Sequence, residues 1–171
     1  LKDHPEFDLR CVVEPATALH ADIESLGLNV AQNYEAALAD PAVHAVILTS
    51  PNDLHDSQIA QAVAAGKHVF CEKPPGRDVN DVTRVIACHQ QHPNLKLKYG
   101  FNHRYHDSVK EALRIIKTNE LGKVINLRGM YGKSQLKTFA QSDWRTKRDI
   151  AGGGVLLDQG IHMIDLMRLF A

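Results

Sequence analysis

The sequence predicts an α/β protein built around a parallel β-sheet. Three short apolar runs, at residues 9–13, 45–49 and 67–71, have the length and the continuous hydrophobicity of buried parallel strands. Segments with helical periodicity separate these runs, and strands that alternate with helices are typical of a parallel sheet.

Helices are predicted between and after these runs because apolar residues recur three and four positions apart. Gly27 and Gly66 are placed to end two of the helices, and Pro41 stops a third. The predicted helices of this half occupy residues 16–26, 34–39, 55–65 and 79–91.

The second half continues with strand-like and helical segments. The helix is favoured by Val109, Leu113 and Ile116, which lie on one helical face. We therefore predict a strand at residues 95–99, a helix at 108–117 and a further strand at 124–131.

A long polar loop then leads to Arg148 and to three consecutive glycines. Unstructured stretches of this length often line a site, and the competing interpretation is a mobile surface excursion. Gly152-Gly153-Gly154 lack the GxGxxG spacing of a dinucleotide-binding turn, so we predict that their backbone is fitted closely to a neighbouring group. An apolar helix is predicted at residues 155–170.

Composition narrows the class of protein. The 171 residues carry 20 basic and 20 acidic side chains without a long charge block, so nothing indicates nucleic-acid binding. No apolar run approaches the roughly 20 residues of a membrane helix, and we expect a cytoplasmic protein. Cys11, Cys71 and Cys88 lie far apart and are interpreted as reduced core residues.

Three side chains suggest proton chemistry. Lys73, in Glu72-Lys73-Pro74, follows the third apolar run, where open α/β sheets bind ligands. Asp158 and His162 are four residues apart, which places them on one helical face. Taken singly, Lys73 is equally well explained as a solvated lysine, and the other two as a local hydrogen-bonded pair.

Four blocks, taken in order, resemble the glucose-fructose oxidoreductase, inositol dehydrogenase and rhizopine catabolism (Gfo/Idh/MocA) family. The blocks are Thr49-Ser50-Pro51-Asn52 with His55, the stretch from Ala65 to Pro74, the stretch from Gly100 to Tyr105, and the stretch from Gly152 to Leu166. The resemblance implies an NAD(P)-dependent dehydrogenase acting on a polyol or sugar. Its fold would be an incomplete Rossmann-like parallel sheet at residues 1–99, followed at 100–171 by part of an α+β substrate and oligomerisation domain.

The resemblance also implies catalytic roles. Lys73 would lie beside the nicotinamide and the substrate, where a cation stabilises a developing alkoxide. His162 would act as the base with Asp158 orienting it, and which of Lys73 and His162 accepts the proton stays open. Asn102 and Arg104 would line the substrate side, together with Asp158 and His162.

The resemblance also implies which residues contact the cofactor. Glu14 stands where an acidic residue binds the adenosine ribose, and its charge would repel a 2′-phosphate, so NAD is expected rather than NADP. The alternative for Glu14 is a solvated carboxylate at the end of a strand. The other expected cofactor contacts are Ser50, Pro51, Asn52, His55, Glu72, Lys73, Trp144 and Arg145.

The family's glycine-rich turn lies about 20 residues before the ribose acid, which from Glu14 falls before residue 1. We therefore expect these residues to be the central part of a dehydrogenase, without the GxGxxG unit and most of the C-terminal domain. Unpaired strand edges would then favour association with a second copy, so a homo-oligomer is expected.

Two alternatives stay open. The first is a truncated, non-enzymatic remnant or self-associating module without cofactor binding. The second is a metal site formed by Asp158, His162 and a histidine at 103 or 106, although no resident metal is expected.

Overall fold

A computed structural model describes residues 2–132 and 143–171. Its centre is a three-stranded parallel sheet in the order β1-β2-β3. The strands are β1 (Ala45–Leu48), β2 (His68–Cys71) and β3 (Leu97–Tyr99). The predicted α/β class with a parallel sheet is confirmed.

Two helices make the crossovers that a parallel sheet requires. Helix α3 (His55–Ala64) connects β1 to β2, and α4 (Val79–Gln90) connects β2 to β3. Asp78 starts α4 by accepting hydrogen bonds from the backbone N–H groups of Asn80 and Asp81 at 2.8 and 3.0 Å. Both helices were predicted to within one residue at each end.

The hydrophobic core lies between this sheet and the crossover helices. Ile59 and Ala62 of α3 are fully buried, and Cys71 of β2 is fully buried beneath them. The remaining buried members of the core are Leu38, Leu48, Val63, Val69 and Val85. Burial of these apolar side chains supplies the main driving force for folding in this part of the chain.

The amino-terminal helices are short. A 3-10 turn at Thr17–Leu19 leads into α1 (His20–Ser25), and α2 covers Tyr34–Ala39 as predicted. Asn33 caps α2 by accepting a hydrogen bond from the N–H of Ala36 at 2.7 Å.

The buried strand predicted at residues 9–13 is wrong. Val12 forms only an isolated parallel bridge with Val30, and Val13 is 37% exposed. The N–H of Val12 bonds to the carbonyl of Asn29 and its carbonyl accepts from Ala31, so its backbone is paired with the neighbouring loop rather than with the sheet. A run of apolar residues shows that a segment is hydrophobic, but it does not determine which segment the backbone pairs with.

The strand predicted at residues 124–131 is also wrong. The segment has no strand pairing among the described residues, and the side chains of Ile125 and Met130 are 96% and 94% exposed. The segment makes no backbone hydrogen bond to a neighbouring strand among the described residues, so the strand pattern alone does not make a strand.

The carboxyl-terminal part is helical. A 3-10 turn at Asn102–Tyr105 precedes α5 (Asp107–Lys117), and the later elements are a 3-10 turn at Trp144–Thr146, α6 (Arg148–Ala151), a π-helical turn at Leu156–Gly160 and α7 (Ile161–Phe170). The helix predicted at 155–170 is therefore divided. The loop predicted before Arg148 includes residues 133–142, which lie outside the described residues. The domain division after residue 99 stays a prediction.

Gly152 is fitted closely to a neighbour, as predicted for the glycine segment. It ends α6 with a φ of 83°, in the left-handed region that favours glycine. A Cβ atom there would lie 2.5 Å from the Cβ and 2.6 Å from the Cα of Arg77. The end of α6 thus rests on the chain that follows Lys73.

Within residues 2–132 and 143–171, every helix is too short or too polar to cross a bilayer.

Replacing Gly152 with alanine tests this contact. Gly66 is the matched control, because it follows α3 with a φ of 74° and has nothing within 4 Å of the Cβ position. Positive φ alone should lower the free energy of unfolding by about 1 kcal/mol at either position. The clash at Gly152 should add about 1–3 kcal/mol, measurable by urea denaturation. Equal losses for the two variants would contradict a close contact.

Candidate active site

A pocket of about 680 Å³ opens at the carboxyl-terminal edge of the sheet. The loop after β1 and the loop after β2 form one side, and the carboxyl-terminal segments form the other. Open parallel sheets bind ligands at this edge. The lining consists of Thr49, Ser50, Asn52, Glu72, Lys73, Pro74, Tyr131, Trp144, Arg145, Ala151, Gly153, Gly154, Val155, Asp158 and Gln159.

Lys73 and Asp158 meet in this pocket although they are 85 residues apart. The Lys73 ammonium donates to the Asp158 backbone carbonyl at 2.6 Å and to its Oδ1 at 2.8 Å. Their side chains are 18% and 37% exposed, so the pair is partly shielded from water. Gln159 donates to the other carboxylate oxygen of Asp158 at 2.7 Å. The ammonium is thereby fixed at the pocket wall.

Glu72 stands beside Lys73 in the pocket lining. Its carboxylate accepts a hydrogen bond from the Lys73 backbone N–H at 3.3 Å. Gly100, after β3, is packed so closely that a Cβ there would lie 2.8 Å from Glu72 Oε1. Only a glycine at this position leaves the Glu72 side chain in place.

His162 is buried next to the pocket and is not part of its lining. Its ring stacks on that of His103, with centroids 4.1 Å apart, and meets Phe101 edge-on at 6.3 Å. Its Nδ1 atom is buried and has no hydrogen-bond partner among the described residues. The orienting bond from Asp158 that the sequence suggested is therefore not made to Nδ1.

Burial is the first cause that lowers the pKa of His162, to about 4, followed by the nearby charges of His103 and Lys73. Asp158 and Asp165 act in the opposite direction. Burial also lowers the pKa of His103. The imidazole is therefore neutral at physiological pH and can accept a proton, but its lowered pKa makes it a weaker base than a solvent-exposed histidine.

The loop after β1 supplies three residues of the lining, Thr49, Ser50 and Asn52. Ser50 donates from its hydroxyl to Gln58 Oε1 at 2.5 Å. Asn52 is buried and donates from Nδ2 to the carbonyl of Ala151 at 2.9 Å. Pro51, between them, precedes the 3-10 turn Asn52–Leu54, which runs directly into α3.

His55 lies in the core rather than in the pocket. It is 1% exposed, with Nδ1 3.0 Å from the carbonyl of Pro74 and Nε2 3.0 Å from the carbonyl of Ser50. The ring therefore connects the loop after β1 to the loop after β2.

Glu14, Asn102 and Arg104 lie outside the pocket lining. The Glu14 carboxylate accepts a hydrogen bond from the N–H of Ala16 at 2.8 Å. Arg104 forms a two-pronged ion pair with buried Asp165, in which Nε lies 2.7 Å from Oδ2. Asn102 is exposed.

Trp144 and Arg145 line the pocket in the 3-10 turn before α6. The Arg145 guanidinium lies 4.6 Å from the centroid of the indole ring, and Asp143 caps the turn by accepting from the Arg145 N–H at 2.9 Å. The two residues face the loops of the sheet edge across the pocket.

Three structural partners were missed from the sequence. Gln159 and Asp165 lie within the fourth block, but the resemblance gave neither a role, and Tyr131 falls in a segment predicted as a strand. Asp165 lies three residues after His162 on α7, and this helical spacing could have indicated a further group on the same face.

The metal alternative has no support in the part of the chain that the structure describes. No group of three or more histidine, cysteine, aspartate or glutamate side chains is placed there to hold an ion.

Comparison with known proteins identifies the protein family. Residues 1–101 match the family model described as "Oxidoreductase family, NAD-binding Rossmann fold". Residues 109–171 match the model of the GFO/IDH/MocA C-terminal domain. Together the two matches cover nearly the whole chain.

Individual relatives agree. Levoglucosan dehydrogenase of Pseudarthrobacter phenanthrenivorans is 30% identical over 141 residues, which are 82% of this chain and 36% of that protein. D-xylose 1-dehydrogenase (NADP(+)) 2 of Haloferax volcanii is 32% identical over 148 residues, which are 86% of this chain and 44% of that protein.

A solved structure of levoglucosan dehydrogenase in complex with NADH and levoglucosan superposes with a TM-score of 0.87 at 28% identity, over 95% of this chain and 45% of that one. The chain thus spans less than half the length of these relatives.

The depressed pKa of His162 predicts a pH dependence. Because the pKa of about 4 in the folded protein lies below the ordinary histidine value of about 6.5, the unfolded chain takes up this proton first as the pH falls. This group should therefore lower the free energy of unfolding as the pH falls from about 6.5 to about 4. NMR titration of the histidine Cε1 protons measures the midpoint directly.

His162→Phe identifies the resonance by its loss and keeps a ring against His103. The same variant should lose the part of the acid sensitivity that His162 causes. A His162 midpoint close to 6.5 in the wild type would contradict the buried, neutral imidazole.

Proposed function

The chain belongs to the Gfo/Idh/MocA oxidoreductase family, and we propose that it carries the proton-transfer groups and part of the nicotinamide site of an NAD-dependent dehydrogenase. The substrate is a secondary alcohol of a sugar, an inositol or a nucleotide-linked sugar. The single observation that carries this proposal is the contact of Lys73 with Asp158 in the pocket at the sheet edge.

The pocket fits a nicotinamide dinucleotide. It lies at the edge where parallel sheets hold such ligands, and polar groups of Ser50 and Asn52 line it on one side. Gly154 lines the opposite side with nothing within 4 Å of its Cβ position, which leaves its backbone open to a flat ligand. Trp144 supplies an aromatic surface near the same wall.

When bound, the nicotinamide supplies the acceptor for a hydride. The chain's own residues must then deal with the hydroxyl proton and with the charge on oxygen. Lys73, as a lining residue, reaches the oxygen and stabilises the developing alkoxide. Asp158 holds the ammonium in that position through two contacts.

His162 is proposed as the proton acceptor next to this pair. Its imidazole is neutral at physiological pH because burial depresses its pKa. A protonated Lys73 cannot accept a further proton, so a division of labour follows, in which Lys73 supplies charge and His162 takes the proton. Asp165 lies on the same face of α7 as His162 and is bonded to Arg104 of the 3-10 turn at Asn102–Tyr105, and this pair closes the substrate side in the proposal.

NAD is proposed as the preferred cofactor over NADP on the strength of Glu14. A carboxylate at the ribose position binds the hydroxyls and repels a 2′-phosphate. The bond from the Ala16 N–H fixes the orientation of this carboxylate. A homo-oligomeric state and a cytoplasmic location accompany the proposal as predictions.

Cofactor titration tests the proposal. Trp144 is the chain's single tryptophan and lines the pocket, so energy transfer from its indole to bound NADH reports occupancy directly. We expect saturable binding of NADH in the micromolar range and weaker binding of NADPH. With NAD present, the protein should oxidise members of a panel of polyols and cyclic sugars.

The same titration has two outcomes that would contradict parts of the proposal. Absence of saturable binding at millimolar NADH and millimolar NADPH would overturn the proposal that this chain holds the cofactor and would favour a non-catalytic association module. Preference for NADPH would overturn the role of Glu14 alone.

A further inference from the structure

We propose that Arg77 is a positioning residue that fixes the end of α6 and, through it, the glycine segment 152–154 that forms one wall of the pocket. The link to catalysis rests on the proposed function, whereas the link between Arg77 and α6 does not. Arg77 lies outside the pocket lining and has no role in the proposed proton transfer.

The orientation of Arg77 is set by a buried carboxylate. Its backbone N–H and its Nε both donate to Asp81 Oδ2 at 2.9 Å. The Asp81 side chain is 2% exposed, so the carboxylate is removed from water, whereas the Arg77 side chain is 32% exposed. A planar guanidinium held in this way presents its remaining donors in fixed directions.

One of those donors reaches α6. Arg77 Nη1 donates to the backbone carbonyl of Asp149 at 2.9 Å. The last carbonyls of a helix have no partners within the helix and require donors from elsewhere. Arg77 therefore caps α6 from outside.

The backbone of Arg77 makes a second contact with the same helix end. Gly152 ends α6 so close to Arg77 that a Cβ on the glycine would lie 2.6 Å from the arginine Cα. The hydrogen bond and the packing contact together fix the position of the end of α6 relative to Arg77.

Asn52 binds a second backbone carbonyl of α6, that of Ala151. Its Nδ2 donates to Ala151 at 2.9 Å, and the residue is buried. The loop after β1 and the loop after β2 thus hold the same short helix. A helix of four residues, Arg148–Ala151, has too few internal hydrogen bonds to be stable by itself, so these external contacts determine its place.

The consequence concerns the pocket wall. The pocket wall begins at the end of α6, where Arg77 and Asn52 hold the carbonyls of Asp149 and Ala151. The lining residues in this part of the chain are Ala151, Gly153, Gly154 and Val155. Lys147 precedes α6, and its carbonyl accepts a hydrogen bond from the N–H of Ala151 at 2.8 Å. This bond connects the segment that contains Trp144 to the helix. Loss of Arg77 should release this wall without removing any group that touches the reacting atoms.

Arg84 provides a matched control. It also forms an ion pair with Asp81, and it binds Asp56 at 2.7 Å. Its described contacts lie on α4 and α3 and do not include α6. Arg77→Met and Arg84→Met each remove one partner of Asp81, but only Arg77→Met removes the contact with Asp149.

The experiment compares Arg77→Met, Arg77→Lys and Arg84→Met with the wild type. Acrylamide quenching of Trp144 fluorescence without cofactor measures the release of α6, and NADH titration with steady-state kinetics measures its effect on the pocket. Both Arg77 variants should increase quenching and raise the dissociation constant for NADH roughly tenfold, as expected for the loss of one charged hydrogen bond. KM for the cofactor should rise with kcat changed less than about twofold, because the chemical groups stay in place.

Arg77→Lys keeps a positive charge beside Asp81 but cannot bind Asp81 and Asp149 together, so it separates positioning from charge even if Arg77→Met does not fold. Arg84→Met should leave both readouts at wild-type values. Equal effects of the Arg77 and Arg84 variants, or unchanged quenching in Arg77→Lys, would overturn the proposal. If the wild type binds no NADH, the proposed function fails, and the quenching comparison still decides whether Arg77 positions α6.

Discussion

The contact between Lys73 and Asp158 is the interaction on which the rest of the site depends. It joins the loop after β2 to the π-helical turn before α7, and it is made twice, to the carbonyl and to the carboxylate of one residue. Without it, the Lys73 ammonium would not be held at the sheet edge. With it, an ammonium is presented in a partly shielded site, where its effect on a developing negative charge is larger than in water.

The surrounding structure holds the two partners from behind. The His55 ring lies 3.0 Å from the carbonyl of Ser50 and 3.0 Å from that of Pro74, so it connects the two loops at the sheet edge. Arg77 and Asn52 extend this connection to α6 and the glycine wall. Polar side chains at the edge of the pocket and behind it thus determine its shape, since each lies against a backbone carbonyl that a turn or a helix end leaves open.

The sequence predicted those features that depend on local chemistry. Helix α2 at Tyr34–Ala39 and the crossover helices follow from caps, glycines and periodicity. The resemblance implied one site for Lys73, Asp158 and His162, but it paired Asp158 with His162, whereas the carboxylate of Asp158 accepts from Lys73. The strands expected at residues 9–13 and 124–131 failed because strand formation depends on a partner that periodicity does not name. His55 was expected among the cofactor contacts, yet the structure buries it between two carbonyls, and no local pattern distinguishes these roles.

A double-mutant cycle between Lys73→Met and Asp158→Asn tests the central claim most directly, with the rate of NAD-dependent alcohol oxidation as the readout. If Asp158 acts by holding the ammonium at the reacting oxygen, Lys73→Met should lower the rate by at least about a hundredfold. The double variant should then be little worse than Lys73→Met alone, since both changes remove one interaction. Lys96→Met, an exposed lysine outside the pocket lining, should retain the full rate. Multiplicative losses in the double variant, or a Lys73→Met protein with most of its turnover, would contradict the account.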